Sequence, residues 1–261
     1  MSERIEDLQC DGLKIIQDDQ LYCFTSDSVI LANFIKFKEV DTAVEIGAGS
    51  GVISILAQAK NKVKKIYAFE IQEEMQNICK KNIKLNNLDE KIELICDDVK
   101  NYSKYLSKPA DVVFSNPPYF KLTNFAQSEV KKIAKEEVCL SCEQLVKTTA
   151  KMLKFKGVFY CCYGAERVCE LIVNCEKNNL AVKEMFFTEN GKGEVKLVVI
   201  KAVKGGNCGV KVYPNLVTNE ENGGYLEKLH TKNFKWHWTQ NYFKKRKTPN
   251  IWCFFVVSNA L

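Results

Sequence analysis

The tetrapeptide Asn-Pro-Pro-Tyr at residues 116–119 directly follows an apolar run that is typical of a buried strand. Proline has no N–H to give to a neighbouring strand, and it keeps the preceding residue out of the helical region. The two prolines would therefore fix the Asn116 side-chain oxygen and the Pro117 carbonyl toward one point. Two such acceptors suit an –NH2 group, because holding both hydrogens frees the nitrogen lone pair to attack a methyl group. Tyr119 could stack on a planar substrate, so the predicted catalytic residues are Asn116, Pro117, Pro118 and Tyr119.

A glycine loop lies upstream, in the stretch VEIGAGSGVISI at residues 44–55, which has the pattern of a strand, a turn and the start of a helix. Val52 stands where the dinucleotide-binding fingerprint has its third glycine. The loop therefore suits S-adenosylmethionine better than NAD, since backbone without Cβ atoms can lie against a methionine and a ribose. Glu45, at the strand end, is expected to meet the amino group of the methionine portion. The glycines expected to bind the cofactor are Gly47, Gly49 and Gly51.

Acidic residues end the next two predicted strands. Glu70 follows the second strand, where a carboxylate can accept both ribose hydroxyls of a bound nucleoside. The third strand ends in Cys-Asp-Asp-Val, so either Asp97 or Asp98 could accept from the adenine amino group, and we favour Asp98. The order and spacing of the glycine loop and these acidic residues predict S-adenosylmethionine as cofactor. Asn116 lies at the same edge of the sheet and is also expected to contact it.

Short apolar runs alternate with helical patterns from residue 42 onward, which predicts an α/β fold with a mostly parallel sheet. A hairpin across residues 188–193 would add one antiparallel strand to make seven. The predicted domains are an N-terminal cap segment (1–40), a methyltransferase domain (41–204) and a basic, aromatic-rich extension (205–261). The predicted strands are 42–47, 65–70, 91–96, 110–116, 157–163, 181–187 and 194–203, and the predicted helices lie near 51–60, 73–86, 137–153 and 165–179.

Composition indicates a cytoplasmic protein without a membrane partner. No apolar run approaches the roughly 18–20 residues that span a bilayer, and the charged N-terminus lacks the apolar core of a secretory signal. The twelve cysteines fall largely within helical and strand patterns, so we expect them to be reduced and buried. CLSC at residues 139–142 has neither a second pair nor a nearby histidine, which disfavours a metal site. The oligomeric state is left open, with a monomer as the default.

The basic excess of the chain lies entirely at its C-terminal end. Residues 201–261 carry ten Lys/Arg against three Asp/Glu, whereas residues 1–200 carry 28 against 29. Within this part, residues 232–261 combine six Lys/Arg and eight aromatics with no acid, a composition typical of single-stranded RNA contacts. The alternative interpretation of residues 232–261 is an added strand with a basic loop, which covers apolar surface and does not contact RNA. The segment 120–137 is a second candidate for RNA contact, through Lys121, Lys131, Lys132 and Lys135. The alternative is that these lysines form only a solvated face.

The sequence also resembles the bacterial valine-tRNA adenine-N6 methyltransferases, which modify adenine 37 beside the anticodon. The resemblance covers residues 5–231 and is carried by TSDSVILANFI, VEIGAGSG, CDDV, SNPPYF, IAKEE, YGAERVCEL and GYLEKLH. It implies a Rossmann-like class I methyltransferase fold, S-adenosylmethionine held by the residues named above, and a tRNA anticodon loop as partner. Phe120 would lie beside the target base, and Asp27 would cap a helix or contact the cofactor. Glu136 departs from the family pattern, which has a basic residue or histidine there.

Three other interpretations share these motifs. Release-factor glutamine methyltransferases also carry Asn-Pro-Pro-Tyr, but they have a helical domain before the glycine loop, and only about 40 residues precede it here. Adenine methylation of ribosomal RNA or DNA fits the same residues. A non-enzymatic alternative is an RNA-binding protein built on an inactive methyltransferase scaffold.

Overall fold

The computed structural model describes residues 3–118 and 140–218. Tyr119 and Phe120 lie outside the described residues, as do Glu136, the lysines of segment 120–137 and the basic tail 232–261. The functions expected of these residues therefore stay predictions. No helix in the described ranges is long and apolar enough to cross a membrane.

The chain begins with a hairpin of two antiparallel strands, in which Ile5 lies opposite Ile16. A short helix then leads to the main sheet. The N-cap of this helix is Thr25, so the prediction that Asp27 caps it is wrong. Asp27 lies in the first turn instead, where a negative charge still favours the helix. These elements are β1 (Glu3–Asp7), β2 (Lys14–Asp18) and α1 (Ser26–Phe34).

Nine strands form the main sheet in the described part of the chain, in the order β5-β4-β3-β6-β7-β9-β8-β10, with β11 also paired to β8. Only β9 among these runs antiparallel to its neighbours, β7 and β8. The predicted seven-stranded sheet with one antiparallel strand is confirmed as its core. The strands are β3 (Glu39–Ile46), β4 (Lys62–Phe69), β5 (Ile92–Ile95), β6 (Ala110–Ser115), β7 (Leu153–Gly164), β8 (Leu180–Glu189), β9 (Val195–Lys204), β10 (Lys211–Val212) and β11 (Leu216–Val217).

Two short strands were not expected. Strands β10 and β11 have two residues each and both pair with β8, so this part of the predicted extension joins the sheet. Strands β3, β4 and β7 also begin earlier than predicted. Their first residues, EVD, KVK and LKFK, alternate apolar with charged side chains, which is a weaker signal than a continuous apolar run.

Helices cover both faces of the sheet. One buried cluster joins the sheet to α1, α2 (Val52–Lys60) and α3 (Glu73–Leu85), and a second joins it to α4 (Cys142–Met152) and α5 (Val168–Lys177). The chain proceeds from β3 toward one edge of the sheet and from β6 toward the other. The carboxyl ends of β3 and β6 therefore flank the switch in strand order, where open α/β sheets bind their ligands.

The described cysteines form no disulfide with one another, but they are not all buried. Cys79, Cys161 and Cys162 lie in the core as predicted. Cys96 and Cys169 are exposed, because the first follows the last residue of β5 and the second lies on the outer face of α5.

Candidate functional site

The glycine loop connects β3 to α2 and adopts the backbone conformation that its sequence predicts. Gly47, Gly49 and Gly51 have φ angles of 74°, 54° and 82°, in the left-handed region that side chains disfavour. A Cβ atom on Gly51 would lie 2.8 Å from Cys79 Sγ, whereas one on Gly47 would meet nothing within 4 Å. Gly51 is therefore packed against α3, and Gly47 faces open space.

A cleft lies at the carboxyl ends of β3, β4, β5 and β6, and its volume is about 830 Å³ when the space open to solvent is included. The cleft brings together most of the residues that the sequence predicts. They are Gly47, Gly49, Glu70, Asp97, Asp98, Asn116, Pro117 and Pro118.

The Glu70 carboxylate is 4% exposed and accepts three backbone N–H groups. Oε2 accepts from Gly49 at 2.7 Å, and Oε1 accepts from Ile71 and Gln72 at 2.9 Å each. Burial raises the pKa of Glu70, and these three N–H groups oppose that rise. A carboxylate has about four acceptor positions. One acceptor position on Oε2 therefore remains, and it suits one ribose hydroxyl. The predicted acceptance of both ribose hydroxyls would require one of the three backbone N–H groups to give up its hydrogen bond to Glu70.

The two adjacent aspartates differ in how fully their oxygens are engaged. Asp97 accepts from the Asp98 backbone at 2.7 Å, from Asn101 Nδ2 at 2.8 Å and from the Tyr105 hydroxyl at 2.9 Å. The hydrogen bonds from Asn101 and Tyr105 lower the pKa of Asp97. Asp98 accepts from the Lys100 backbone at 2.9 Å through Oδ1, and its Oδ2 lies 3.5 Å from Lys100 Nζ. The geometry thus favours Asp98 over Asp97 as the acceptor for a ligand.

Glu45 does not line the cleft, so the expected direct contact with a methionine amino group is not supported. Its side chain is 1% exposed and lies beneath α2, where Oε2 accepts from the Ser54 backbone at 3.1 Å and from the Ser54 hydroxyl. Helix α2 begins after Gly51, which has no side chain to cap it. The Glu45 carboxyl therefore takes the place of a capping side chain for the first turn of α2.

Burial raises the pKa of Glu45 from its ordinary value of 4.5 to about 8. Between these two values the folded state holds a proton that the unfolded state has lost. The free energy of unfolding should therefore fall as pH rises from 5 to 8, with a slope of at most about 1.4 kcal/mol per pH unit from this group.

Glu45→Gln should remove that pH dependence, because glutamine does not titrate and keeps an oxygen for Ser54. We expect the variant to gain stability relative to the native protein as pH rises from 5 to 8. Urea unfolding at pH 5, 6.5 and 8 measures this, with Glu74→Gln at an exposed site as the matched control. A constant difference between Glu45→Gln and the native protein at all three pH values would contradict the buried titration.

Asn116 follows β6 and lies between two cavities. Its Nδ2 donates to Ser28 Oγ at 3.2 Å, whereas its Oδ1 is buried and makes no hydrogen bond with the described residues. Buried polar atoms are nearly always paired. Pro117, which is also buried, holds the backbone beside it. Asn116, which lines both cavities, therefore carries an acceptor without a hydrogen-bond donor among the described residues, at the position where the sequence predicts that an amine is held.

The second cavity, of about 330 Å³, lies on the other side of Asn116. It is lined by Tyr22, Phe24 and Ser28 from the segment before and within α1, and by the glycine loop. Tyr22 lines both cavities. Sequence reasoning missed these three residues as parts of the site, although Ser28 belongs to the stretch TSDSVILANFI that carries the family resemblance.

Asn82 of α3 is a further residue that the sequence analysis missed. It is fully buried, accepts from the Ile16 backbone N–H at 2.6 Å, and donates to the carbonyls of Ile16 at 3.1 Å and Ser50 at 2.9 Å. One side chain thus joins the N-terminal hairpin to the glycine loop. Its signal in the sequence is a polar residue within the buried stripe of an amphipathic helix.

The chain is similar to known methyltransferases. A model of the methyltransferase small domain family matches residues 24–163. The tRNA1(Val) (adenine(37)-N6)-methyltransferase of Shewanella halifaxensis is 25% identical over 213 residues, which cover 77% of this chain and 86% of that protein. The protein of the same name from Flavobacteriaceae bacterium strain 3519-10 is 23% identical over 195 residues, covering 74% and 82%.

Solved structures share the fold. A predicted O-methyltransferase of Agrobacterium tumefaciens superimposes with a TM-score of 0.61 at 17% identity, over 78% of this chain and 95% of that one. The tRNA m1G37 methyltransferase of M. jannaschii does so with a TM-score of 0.55 at 19% identity, over 79% and 58%. At these identities the likeness shows the fold, which is the Rossmann-like class I methyltransferase fold.

Proposed function

This chain belongs to the methyltransferase small domain family, and we propose that it methylates N6 of an adenine in tRNA, at position 37 of a valine tRNA, with S-adenosylmethionine as the methyl donor. The observation that carries the chemistry is that Asn116 lines a cleft beside a glycine loop, and that its buried Oδ1 has no hydrogen-bond donor among the described residues. The names of the relatives support the choice of substrate.

The residues of the cleft fit the proposed cofactor. Gly47 and Gly49 present backbone without side chains, and the remaining acceptor position on Glu70 Oε2 suits a ribose hydroxyl. Asp98 Oδ2 would accept from the adenine amino group. When bound, S-adenosylmethionine supplies a methyl group that is attached to a positively charged sulfur. After the transfer, the sulfur remains in the leaving group as a neutral thioether.

Asn116 and Pro117 would prepare the amine for transfer. The Asn116 oxygen and the Pro117 carbonyl each accept one N–H of the adenine amino group, which withdraws the nitrogen lone pair from the ring. As the N–C bond forms, positive charge develops on that nitrogen, and the two carbonyl dipoles stabilise it. The nitrogen then gives its extra proton to water. Tyr119 and Phe120 would stack on the base.

The proposal is tested with a methyl-labelled donor and an unmodified valine tRNA transcript, followed by nucleoside analysis. We expect about one N6-methyladenosine per transcript, and none in a matched transcript with guanine at position 37. Ribosomal RNA, DNA and release factor are assayed in parallel. Label in one of these and not in the transcript would identify the corresponding alternative substrate and overturn the tRNA assignment.

A further inference from the structure

We propose that Tyr105 is a positioning residue for the adenine end of the cofactor site, where it holds Asp97 and, through Asp97, the neighbouring Asp98. The observation is the hydrogen bond that the Tyr105 hydroxyl donates to Asp97 Oδ2 at 2.9 Å. Tyr105 itself does not line the cleft, whereas both aspartates do. The inference rests on the proposed function, because it assumes that the adenine of S-adenosylmethionine lies beside Asp98.

The chemistry of Asp97 fixes the direction of each of its hydrogen bonds. An ionised carboxylate can only accept, so the Tyr105 hydroxyl and the Asn101 amide must both donate to it. Oδ1 accepts from Asn101 Nδ2 at 2.8 Å and from the Asp98 backbone N–H at 2.7 Å, while Oδ2 accepts from Tyr105. The hydrogen bonds from Asn101 and Tyr105 lower the pKa of Asp97, which keeps it ionised. Both oxygens of Asp97 therefore bind protein groups, which leaves Asp98 as the acceptor for a ligand.

These hydrogen bonds tie together the two ends of a short 3₁₀ helix, Val99–Lys104. Asp98 caps its start by accepting from the Lys100 backbone at 2.9 Å, and Tyr105 follows its last residue. Runs of 3₁₀ helix longer than three or four residues are uncommon, because their hydrogen bonds are poorly aligned. The bond from Tyr105 back to Asp97 thus stabilises a six-residue 3₁₀ helix whose capping residue lines the cleft.

The ring of Tyr105 connects this 3₁₀ helix to the neighbouring strand. It packs edge-on against Phe69, the last residue of β4, with ring centroids 5.8 Å apart and an interplanar angle of 81°. Phe69 is buried and also lines the cleft. One side chain outside the cleft therefore joins two of its walls, the ring through Phe69 and the hydroxyl through Asp97.

Loss of the hydroxyl should free Asp97 while leaving the ring of Tyr105 in place. A cation near Oδ2, Lys104 Nζ, lies 3.8 Å away on a side chain that is 65% exposed, so it holds the carboxylate weakly. Asp97 would then be free to turn away from the Asp98 N–H, and Asp98 would lose the bond that fixes its backbone. An adenine amino group would meet a less well-placed acceptor.

Tyr105→Phe removes only the hydroxyl, and the binding of two ligands measures the consequence. The first is S-adenosylhomocysteine, and the second is its 6-deamino analogue, in which hydrogen replaces the amino group that would donate to Asp98. We expect the native protein to bind S-adenosylhomocysteine at least about tenfold more tightly than the analogue. Because Tyr105 is partly exposed, this ratio should fall only about three- to tenfold in Tyr105→Phe. Calorimetric titration measures both dissociation constants.

Tyr102 provides a matched control, because it lies in the same 3₁₀ helix but packs against the apolar core. Its hydroxyl makes no hydrogen bond with another residue in the described part of the chain. Tyr102→Phe should leave the ratio within about twofold of its native value. A general loosening of the protein would weaken both ligands equally, so the ratio separates positioning from stability.

Asp98→Asn tests whether Tyr105 acts through Asp98. Asparagine can still cap the 3₁₀ helix with its oxygen, but it no longer offers a carboxylate to the adenine amino group. In this background Tyr105→Phe should change the ratio less than about twofold. An equal fall of the ratio in both backgrounds would overturn the proposal, because Tyr105 would then act on the cleft by another route.

The titration of Asp97, followed by NMR of the aspartate carboxyl carbons, is a readout that needs no ligand. Tyr105→Phe should raise the pKa of Asp97, because a hydrogen bond that stabilises its ionised form is lost, and Tyr102→Phe should leave it unchanged. An unchanged pKa or an unchanged binding ratio in Tyr105→Phe would overturn the proposal, whether or not RNA is methylated.

The same measurements distinguish this inference from the proposed function. If the native protein does not bind S-adenosylhomocysteine, the proposed cofactor is wrong and the inference is overturned with it. If the ratio falls as expected in Tyr105→Phe but no RNA is methylated, the function of Tyr105 is supported and only the proposed substrate is wrong.

Discussion

Replacement of Asn116 by alanine is expected to lower kcat for methyl transfer by about 10²- to 10³-fold, the range found when a preorganised polar group at a reacting atom is removed. The alanine variant lacks the oxygen that would hold the amine and stabilise the charge that develops on nitrogen. The strand end that carries it should stay in place, because Phe114 and Ser115 are fully buried and Ser115 Oγ donates to the Ile46 carbonyl at 2.8 Å.

Cofactor binding separates this effect from a general loss of structure. The glycine loop, Glu70 and Asp98 are untouched, so we expect the dissociation constant of S-adenosylhomocysteine to change less than about threefold. Single-turnover kinetics and calorimetric titration measure the two quantities. Asn116→Asp, which keeps an acceptor, should retain far more activity than Asn116→Ala. An alanine variant with more than a tenth of native turnover would exclude the acceptor function.

The convergence of the site could be predicted from the sequence because a parallel sheet brings the carboxyl ends of its strands to one edge. Once the apolar runs are assigned as strands, the glycine loop, Glu70, Asp98 and Asn116 must follow neighbouring strand ends. The order of the strands decides which of them meet at the switch. Motif and topology together were therefore sufficient to predict the cleft.

For Glu45, the motif alone predicts a ligand contact that the structure does not show. Side chains alternate between the two faces of a strand. In β3, Val44 and Ile46 pack into the cluster with α4 and α5, so Glu45 faces the other side, toward α2. The alternation is present in the sequence, but the motif alone predicts a ligand contact and does not identify Ser54 as the partner. The acidic residue of this glycine loop caps a helix.

The contacts that position the site could not be predicted, because they join distant parts of the chain. Ser28 meets Asn116 across 88 positions, and Asn82 meets Ile16 across 66. No local periodicity encodes such a pair. Asn82 does occupy the stripe of α3 that also contains Met75, Cys79 and Ile83, and a polar residue there indicates a buried partner without identifying it.

The second large effect is expected at Asn82, whose replacement by alanine should lower the free energy of unfolding by about 3–4 kcal/mol. The change leaves three backbone groups without partners, namely the N–H and carbonyl of Ile16 and the carbonyl of Ser50. Each unsatisfied buried group costs about 1–3 kcal/mol, and partial relaxation reduces the sum. Urea unfolding measures the loss.

Asn82→Ala should also weaken S-adenosylhomocysteine binding about tenfold, because Ser50 lies within the glycine loop and directly precedes Gly51. Asn86, one helical turn later, provides a matched control. Its side chain pairs with the N–H of Lys14 at 2.9 Å and its carbonyl at 2.7 Å, in the way Asn82 pairs with Ile16. Its Nδ2 also donates to the Asn82 carbonyl at 2.8 Å, and none of its side-chain hydrogen bonds within the described residues reaches the glycine loop. Asn86→Ala should cost about 1 kcal/mol, since this pair is exposed, and leave the dissociation constant within about twofold.

The comparison of the two variants decides how the hairpin and the cofactor loop are connected. If only Asn82→Ala weakens binding, the bond to Ser50 is what holds the loop, and the hairpin anchors Asn82. If both weaken binding equally, docking of the whole hairpin on α3 is what shapes the loop. If neither does, the left-handed glycines and the contact of Gly51 with Cys79 are sufficient to hold it, and Asn82 is a stabilising residue alone.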